Sequence, residues 1–194
     1  LLFFLGRPLI GRYQSHLKGH ELLFFSLILG ILVVISQAVV FGLLKIRFLS
    51  LPFFGLVSLF SILRYRQDYF TGLKFLFKDK LLVVLLILGI LFQGFINFPS
   101  GWHYADGIDF WSSQGHDGLW HVSLMEEIKT TFPPTNPLYA GHPMQNYHFT
   151  SDIFMGEFYR LFPFFGSLDL YFRFYPIIFS FLIGLGVFVF VSRR

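Results

Sequence analysis

The stretch LLFFSLILGILVVISQAVVFGLL, residues 22–44, decides the class of this 194-residue chain. It continues for 23 residues without a charge. As a helix it is long enough to cross a hydrocarbon core of roughly 30 Å. The composition agrees, because the chain is 55% hydrophobic and only 13% charged, whereas a soluble domain carries roughly 25% charged residues. We therefore expect an integral membrane protein in contact with a lipid bilayer.

Hydropathy divides the chain into three parts. Residues 1–98 should hold transmembrane helices, residues 99–173 a long loop, and residues 174–194 a further transmembrane helix. The first part contains the following apolar runs: 1–5 as the remnant of an earlier span, 22–44, 48–63 and 81–98. Because the chain opens within an apolar run and without Met, we interpret it as a fragment of a longer protein.

The distribution of charge predicts the orientation. Lys and Arg are concentrated in the short segments 7–20 and 64–80 and at the C-terminal end, whereas residues 99–173 hold eight of the 11 acidic residues. By the positive-inside rule, the short segments should be cytoplasmic and the long loop extracytoplasmic. Lys45 and Arg47, in a tight outer hairpin, count against this orientation. We expect a multi-pass protein of the cell membrane.

Composition also excludes two classes. The net charge is +4, but the basic residues lie at the ends of apolar runs, so we expect no nucleic-acid partner. The chain has no cysteine, so it has neither a disulfide framework nor a thiolate metal site.

The long loop should contain two amphipathic helices. Apolar residues recur at helical spacing in 118–130 and in 151–162, which is typical of helices at a membrane interface. Between them FPPTNPLYAGHPMQNYH, residues 132–148, has four prolines and should form an extended strap. The predicted fold is all-α, a multi-pass helical bundle with a long extracytoplasmic loop.

The sequence SQGHDGLWHVSLMEEI, residues 113–128, carries the main candidates for chemistry. Asp117 and His121 are four residues apart, so they share one face of a helix. His116 precedes them. A carboxylate here could act as a general base, with a histidine to orient it, to bind phosphate or to share a metal. Asp117 could instead be only the N-cap of the helix.

Other polar residues of the loop have both functional and structural interpretations. Asp106 and Asp109 follow the span 81–98 and are alternative bases, although Asp109 could cap a turn. Glu126 is either a substrate contact or part of a solvated helix face. His148 in the strap is either a ligand or a structural hydrogen-bonding residue.

The order of these motifs resembles polytopic glycosyltransferases of the GT-C type. Asp117-Gly-Leu-Trp-His121 is similar to the Asp-Pro-Trp-Phe-containing loop of oligosaccharyltransferase catalytic subunits. PPTNPLYAG…NYHF is similar to a Pro-rich strap in membrane proteins of that superfamily. The resemblance covers about 60 residues of 194. Members use a lipid-phosphate-linked sugar donor, act at the outer face and carry a catalytic carboxylate in a large outer loop.

The resemblance implies a role for each candidate. Asp117 would be the general base, with Asp106 or Asp109 as the alternative. His121 and His116 would hold the base or contact the donor phosphate. The lipid phosphate would be bound by the following residues: Tyr147, His148 and Arg160. The acceptor would be a glycan, a lipid or a protein.

The chain also departs from the family. Its large loop follows at least three spans, whereas that loop usually follows the first. The second acidic loop that holds a metal in the oligosaccharyltransferase branch is not visible, so no cofactor is assigned and a divalent cation stays open. The donor, the acceptor and the oligomeric state are likewise not determined by the sequence.

The alternative hypothesis is a non-enzymatic transporter or envelope-assembly scaffold with a lid-like loop. The spans are nearly free of ionisable residues, which argues against an ion-coupled carrier; their notable polar positions are Gln37, Gln93 and Asn97. Geometry separates the two hypotheses. An enzyme requires Asp117, His121 and at least one of Asp106, Asp109 or His148 to face one cavity, whereas in a scaffold these side chains scatter to water.

Overall fold

The structure, a computed structural model, describes residues 1–192. The chain is mostly helical. Its helices are α1 (Leu2–Ile10), α2 (Gly19–Leu43), α3 (Ser50–Lys78), α4 (Lys80–Asn97), α5 (Asp117–Thr130), α6 (Thr150–Leu161) and α7 (Ser167–Ser192). Its short strands are β1 (Trp102–Tyr104), β2 (Gly107–Asp109), β3 (Thr135–Asn136) and β4 (Tyr139–Pro143).

The predicted helical bundle is confirmed at this level. Within residues 1–192, four helices are long and apolar enough to cross a membrane: α2, α3 with the turn before it, α4 and α7. Of the predicted span at 174–194, the last two residues, Arg193 and Arg194, lie outside the described part, and so does their contribution to the orientation argument.

The prediction that the fold is all-α needs a correction, because two small antiparallel hairpins occur. Strands β1 and β2 pair Trp102 with Asp109 directly after α4. Strands β3 and β4 pair within the predicted strap, which is otherwise extended and free of helix, as expected. Glycine accounts for the tight turn of the first hairpin, since Gly107 adopts a φ of 143°, a region that side chains rarely allow.

Helix α3 extends well beyond the predicted span 48–63. The apolar run ends at Arg64, but the helix continues to Lys78 because charge ends a membrane span and not a helix, and Arg and Lys are good helix formers. It stops at Asp79, whose extended backbone breaks the helix and whose side chain accepts a hydrogen bond from the Leu82 amide to begin α4.

The loop helices pack into the bundle. Helix α2 is central and contacts α1, α3, α6 and α7, while α5 packs on α6 and α4 packs on α7. One core cluster joins Leu5 of α1, Val34 of α2, Phe154 of α6 and Tyr175 of α7. Helices α5 and α6 match the predicted segments within two residues, but α6 is buried on most of its surface. This burial brings polar groups of α6 against α5 and α3.

Candidate active site

The contact between α5 and α6 contains a histidine–aspartate pair. The Nδ1 atom of His121 lies 2.7 Å from Oδ1 of Asp152. Asp152 is fully buried, whereas His121 keeps about a quarter of its side chain exposed. Because Asp152 accepts, we assign the neutral ring as the Nδ1–H tautomer, which leaves the lone pair on Nε2. This is the arrangement in which a carboxylate orients an imidazole that acts as a base.

Two tyrosines enclose the imidazole. Tyr171 stacks on His121 with 5.6 Å between ring centroids and 16° between ring planes. Tyr147 approaches from the strap, with its ring centroid 6.4 Å away. Tyr171 lies in a π-helical turn at Leu170–Phe174, which adds one residue to the turn and so changes the direction of its side chains. The ring of His121 is therefore held by packing as well as by Asp152.

His121 lines a cleft of about 310 Å³ between α4, α5, α6 and α7. The other lining residues are Gln93, Asn97, Ser151, Met155, Tyr171, Tyr175, Pro176 and Phe179. Gln93 and Asn97 lie near the C-terminal end of α4, and Tyr171 lies near the N-terminal end of α7, whereas Phe179 lies further along α7. The lining of the cleft is therefore polar at one end and apolar at the end near Phe179, which suits an amphipathic molecule.

The pair shifts the protonation of the histidine. The hydrogen bond to Asp152 raises the pKa of His121 above its usual value, and partial burial opposes this shift. The nearby carboxylate of Asp117 adds to the increase. His121 therefore keeps its proton to a higher pH than an unperturbed imidazole does, and releases it as the pH rises further.

Asp117 itself does not join this cleft. Its Oδ1 atom lies 2.8 Å from Nδ1 of His116, and both side chains are largely exposed. Asp117 is the first residue of α5 and makes no capping hydrogen bond, so the N-cap interpretation is wrong. Asp117 and His116 line a separate cavity of about 480 Å³ with Trp120 and Tyr147. Tyr147 lines this second cavity and does not line the cleft of His121, although its ring approaches the imidazole.

The remaining loop candidates are dispersed. Asp106 lies in the turn between β1 and β2, Asp109 lies in β2, and both are exposed. His148 is exposed in the strap. Glu126 is half-exposed and lies 3.7 Å from Lys129 on the same helix. None of these four residues lines the cleft of His121, so the single-cavity arrangement expected for an enzyme is not formed as the sequence predicted it.

Arg160 is committed to an ionic network. Its Nε and Nη2 atoms donate to the two oxygens of Glu157 at 2.9 Å and 2.7 Å, and Arg47 donates to the same carboxylate at 2.6 Å. Arg160 also donates to Ser50, which accepts a further hydrogen bond from Gln37. Burial raises the pKa of Glu157, but the two arginines outweigh it and hold that pKa below its usual value. The network also gives Arg47, which counted against the predicted orientation, a buried counter-ion.

No metal centre is evident in the part of the chain described. Across residues 1–192, no three His, Asp or Glu side chains come close enough together to hold a metal ion.

Sequence reasoning missed Asp152 and Tyr171. Asp152 lies in the first turn of α6, where acidic residues are common because they interact favourably with the helix dipole. An aspartate at this position therefore did not indicate a functional role. Tyr171 lies just before the predicted last span, where an aromatic residue is expected as an interface anchor. The role of Asp152 depends on a contact with a residue 31 positions away, and that of Tyr171 on its stacking against the same histidine.

Comparison with known proteins adds no assignment to this geometry. No protein-family model, no curated protein and no solved structure matches the chain.

Proposed function

We propose that this chain is part of an integral membrane glycosyltransferase that moves a sugar from a lipid-phosphate-linked donor to an acceptor hydroxyl at the outer membrane face. In this proposal His121, oriented by Asp152, replaces Asp117 as the general base. The observation that carries it is the 2.7 Å contact between His121 and the buried Asp152 at a cleft whose lining is polar at one end and apolar at the other.

The chemical step uses few groups. As the acceptor oxygen attacks the anomeric carbon of the donor sugar, His121 Nε2 takes the acceptor proton. The bond between that carbon and the lipid-phosphate oxygen breaks, and the phosphate leaves with the electron pair. Asp152 stabilises the imidazolium that forms, because its carboxylate already accepts from Nδ1.

The membrane setting of the proposal has independent support. In the described part of the chain, four helices are long and apolar enough to span a bilayer. On α4 the large side chains Leu88, Leu91, Phe92 and Phe95 are exposed, which is costly in water and favourable among acyl chains. The orientation with residues 99–173 outside remains the one that the charge distribution favours.

Binding of the donor phosphate is a separate part of the proposal. Arg160 was one of the three predicted phosphate ligands, but Glu157 and Ser50 already accept from its guanidinium. Tyr147 and His148 remain candidates by their position on the strap. Tyr147 is also near the imidazole. The proposal therefore does not depend on Arg160.

The test uses the full-length protein in membranes supplied with radiolabelled lipid-linked sugars. His121→Asn keeps a donor for Asp152 and removes the base, so we expect transfer to fall at least about 100-fold. Asp117→Asn is the matched control and should change transfer less than about threefold. Transfer that survives in His121→Asn but is lost in Asp117→Asn would restore Asp117 as the base. Transfer unaffected by either change, or absent from the wild type, would overturn the proposal.

A second candidate is the non-enzymatic scaffold. The observation that favours it is the exposure of Asp106, Asp109 and Asp117, which scatter to solvent and do not converge. A scaffold predicts that no variant of His121 or Asp152 changes any transfer reaction, whereas loss of Glu157 disrupts assembly. The transfer assay with His121→Asn therefore separates the two functions.

A further inference from the structure

A chain of hydrogen bonds begins in the segment after α4 and ends at the cleft. The main-chain N–H of Trp111 donates to Ser100 Oγ at 2.9 Å, and Ser100 Oγ donates to Gln114 Oε1. Gln114 Nε2 donates to Asn97 Oδ1 at 2.8 Å. Asn97 Nδ2 donates to the main-chain oxygen of Gln93 at 2.9 Å and to its Oε1 at 3.2 Å.

Main-chain groups fix the direction of this chain at both ends. A backbone N–H can only donate and a backbone C=O can only accept, so neither Asn97 nor Gln114 can be flipped without breaking a bond. Gln93 must therefore use Oε1 toward Asn97. Its Nε2 group is left with two N–H donors and has no hydrogen-bond partner within residues 1–192.

The position of Gln93 makes this free amide informative. Gln93 lies one helical turn, about 6 Å, further from the helix end than Asn97. Its side chain is exposed, and in the proposed membrane arrangement an exposed amide among acyl chains is unfavourable. Both Gln93 and Asn97 line the cleft that contains His121. The free donors thus belong to a small polar surface near the C-terminal end of the otherwise apolar helix α4.

The charge of the cleft restricts what those donors can bind. Among the described residues that line it, there is no Lys or Arg. The polar lining is formed by amides, by the hydroxyl residues Ser151, Tyr171 and Tyr175, and by the imidazole of His121. A phosphate would find no permanently charged partner here, and His121 must be neutral to act as the base. A neutral group rich in hydroxyls can accept from the amide and donate to the imidazole.

We propose that Gln93, oriented by Asn97, binds the neutral, hydroxylated head group of a membrane-anchored substrate next to His121. The inference rests on the proposed function, because it names the substrate class of the same cleft. The head group is a sugar ring or a simple polyol, and its chain lies along the apolar end of the cleft, near Phe179. The charged part of a lipid-phosphate donor lies outside this cleft.

The test measures binding without requiring turnover. The full-length protein in nanodiscs is exposed to four photoreactive amphiphiles with the same diazirine-bearing alkyl chain and different heads: a β-glucoside, a glycerol ether, a phosphate and an alcohol. Saturable crosslinking is quantified for the wild type and for Gln93→Met, which keeps the length of the side chain without its donors. Gln67→Met, at an exposed position on α3, is the matched control. Thermal unfolding verifies that each variant is folded.

We expect the glucoside or the glycerol ether to be captured at least fivefold better than the alcohol and the phosphate. Whichever of these two neutral head groups is captured more efficiently shows whether the cleft prefers a sugar or a simple polyol. Gln93→Met should lower that capture about fivefold, which corresponds to one hydrogen bond, and Gln67→Met should leave it unchanged. Equal capture of all heads, preference for the phosphate, or an unchanged Gln93→Met would overturn the inference.

The two proposals can fail separately. His121→Asn should lower transfer at least about 100-fold and capture only by the few-fold that one hydrogen bond accounts for. Capture that depends on Gln93 in a protein without transfer activity would refute the proposed function alone. If transfer occurs but Gln93→Met changes neither its KM nor the capture of the neutral head group, only the substrate class is refuted.

Discussion

Replacing Glu157 by Gln tests the network that joins α6 to the turn between α2 and α3. The side chain of Glu157 is fully buried, and it accepts three hydrogen bonds from Arg47 and Arg160. Glutamine has nearly the same shape but no charge, and its amide places a donor against guanidinium groups that can only donate. Two guanidinium groups are then left close together without a counter-ion.

The size of the effect follows from burial. Removing one partner of a buried ion pair costs about 3–5 kcal/mol, because the remaining charge stays desolvated. The two arginine side chains retain 13% and 20% exposure, so water relieves part of this cost. We therefore expect the free energy of unfolding to fall by about 3 kcal/mol. For a chain of this size that corresponds to roughly 6–12 °C in Tm.

The assay is thermal unfolding in nanodiscs at fixed pH and salt, followed by intrinsic fluorescence. Glu126→Gln is the matched control, because Glu126 is half-exposed and its ion pair with Lys129 is 3.7 Å long. A surface pair of this kind contributes less than about 1 kcal/mol. The double variant Glu157→Gln/Arg160→Gln should be more stable than Glu157→Gln, since one unpaired charge is gone. A Glu157→Gln shift no larger than the control would refute the reasoning.

Three further outcomes are expected. Transfer should rise with pH as His121 loses its proton, with an apparent pKa above the usual value for histidine. Asp152→Asn should lower that pKa, because burial then acts on the imidazole without the hydrogen bond that raises the pKa. A pH profile that is unchanged in the variant contradicts this. Gly30→Ala should lower the free energy of unfolding by about 2 kcal/mol or more, because its new methyl group would collide with the Leu2 carbonyl of α1. In Gly55→Ala the new methyl group meets open space, so this control should unfold at the same temperature as the wild type. Equal effects of the two substitutions in thermal unfolding would rule out the close packing of α1 on α2. Since the chain has no cysteine, a single Ser113→Cys should react with a membrane-impermeant maleimide in intact cells, and labelling only after permeabilisation would reverse the proposed orientation.

The His121 pair should also make stability depend on pH. Its folded pKa is raised above the unfolded value of about 6.5. The pair therefore contributes its full stabilisation below that value and loses it as the pH rises through the folded pKa. His121→Asn should remove this dependence from the unfolding curve.

The positions of helices were predictable from the sequence where the spacing of apolar residues and the length of apolar runs determine them. The predicted spans 22–44 and 81–98 differ from α2 and α4 by no more than three residues at either end. The predicted span 48–63 ended too early, because Arg and Lys residues indicate where a segment leaves the hydrocarbon core of the membrane and do not indicate where its helix ends. The amphipathic pattern of 151–162 correctly predicted α6, whose two carboxylates, Asp152 and Glu157, are buried in the structure.

The candidate site was predictable only in part. His121 was singled out because of its spacing from Asp117, but its partner is Asp152, on another helix. Likewise Glu157 meets Arg47 across 110 positions of sequence. Such pairings depend on how helices pack, and no local pattern contains that information. The π-helical turn that presents Tyr171 also breaks the regular helical stripe on which sequence reasoning relies.

Helix α4 has an unusual relation to the rest of the bundle. It packs chiefly on α7, and only Leu82 and Leu86 on it are buried. Yet it carries Gln93 and Asn97, one wall of the cleft. In a bilayer, most of its circumference is therefore held by lateral pressure and not by neighbouring helices. The gap between that wall and His121 thus becomes a property of the surrounding lipid as much as of the polypeptide.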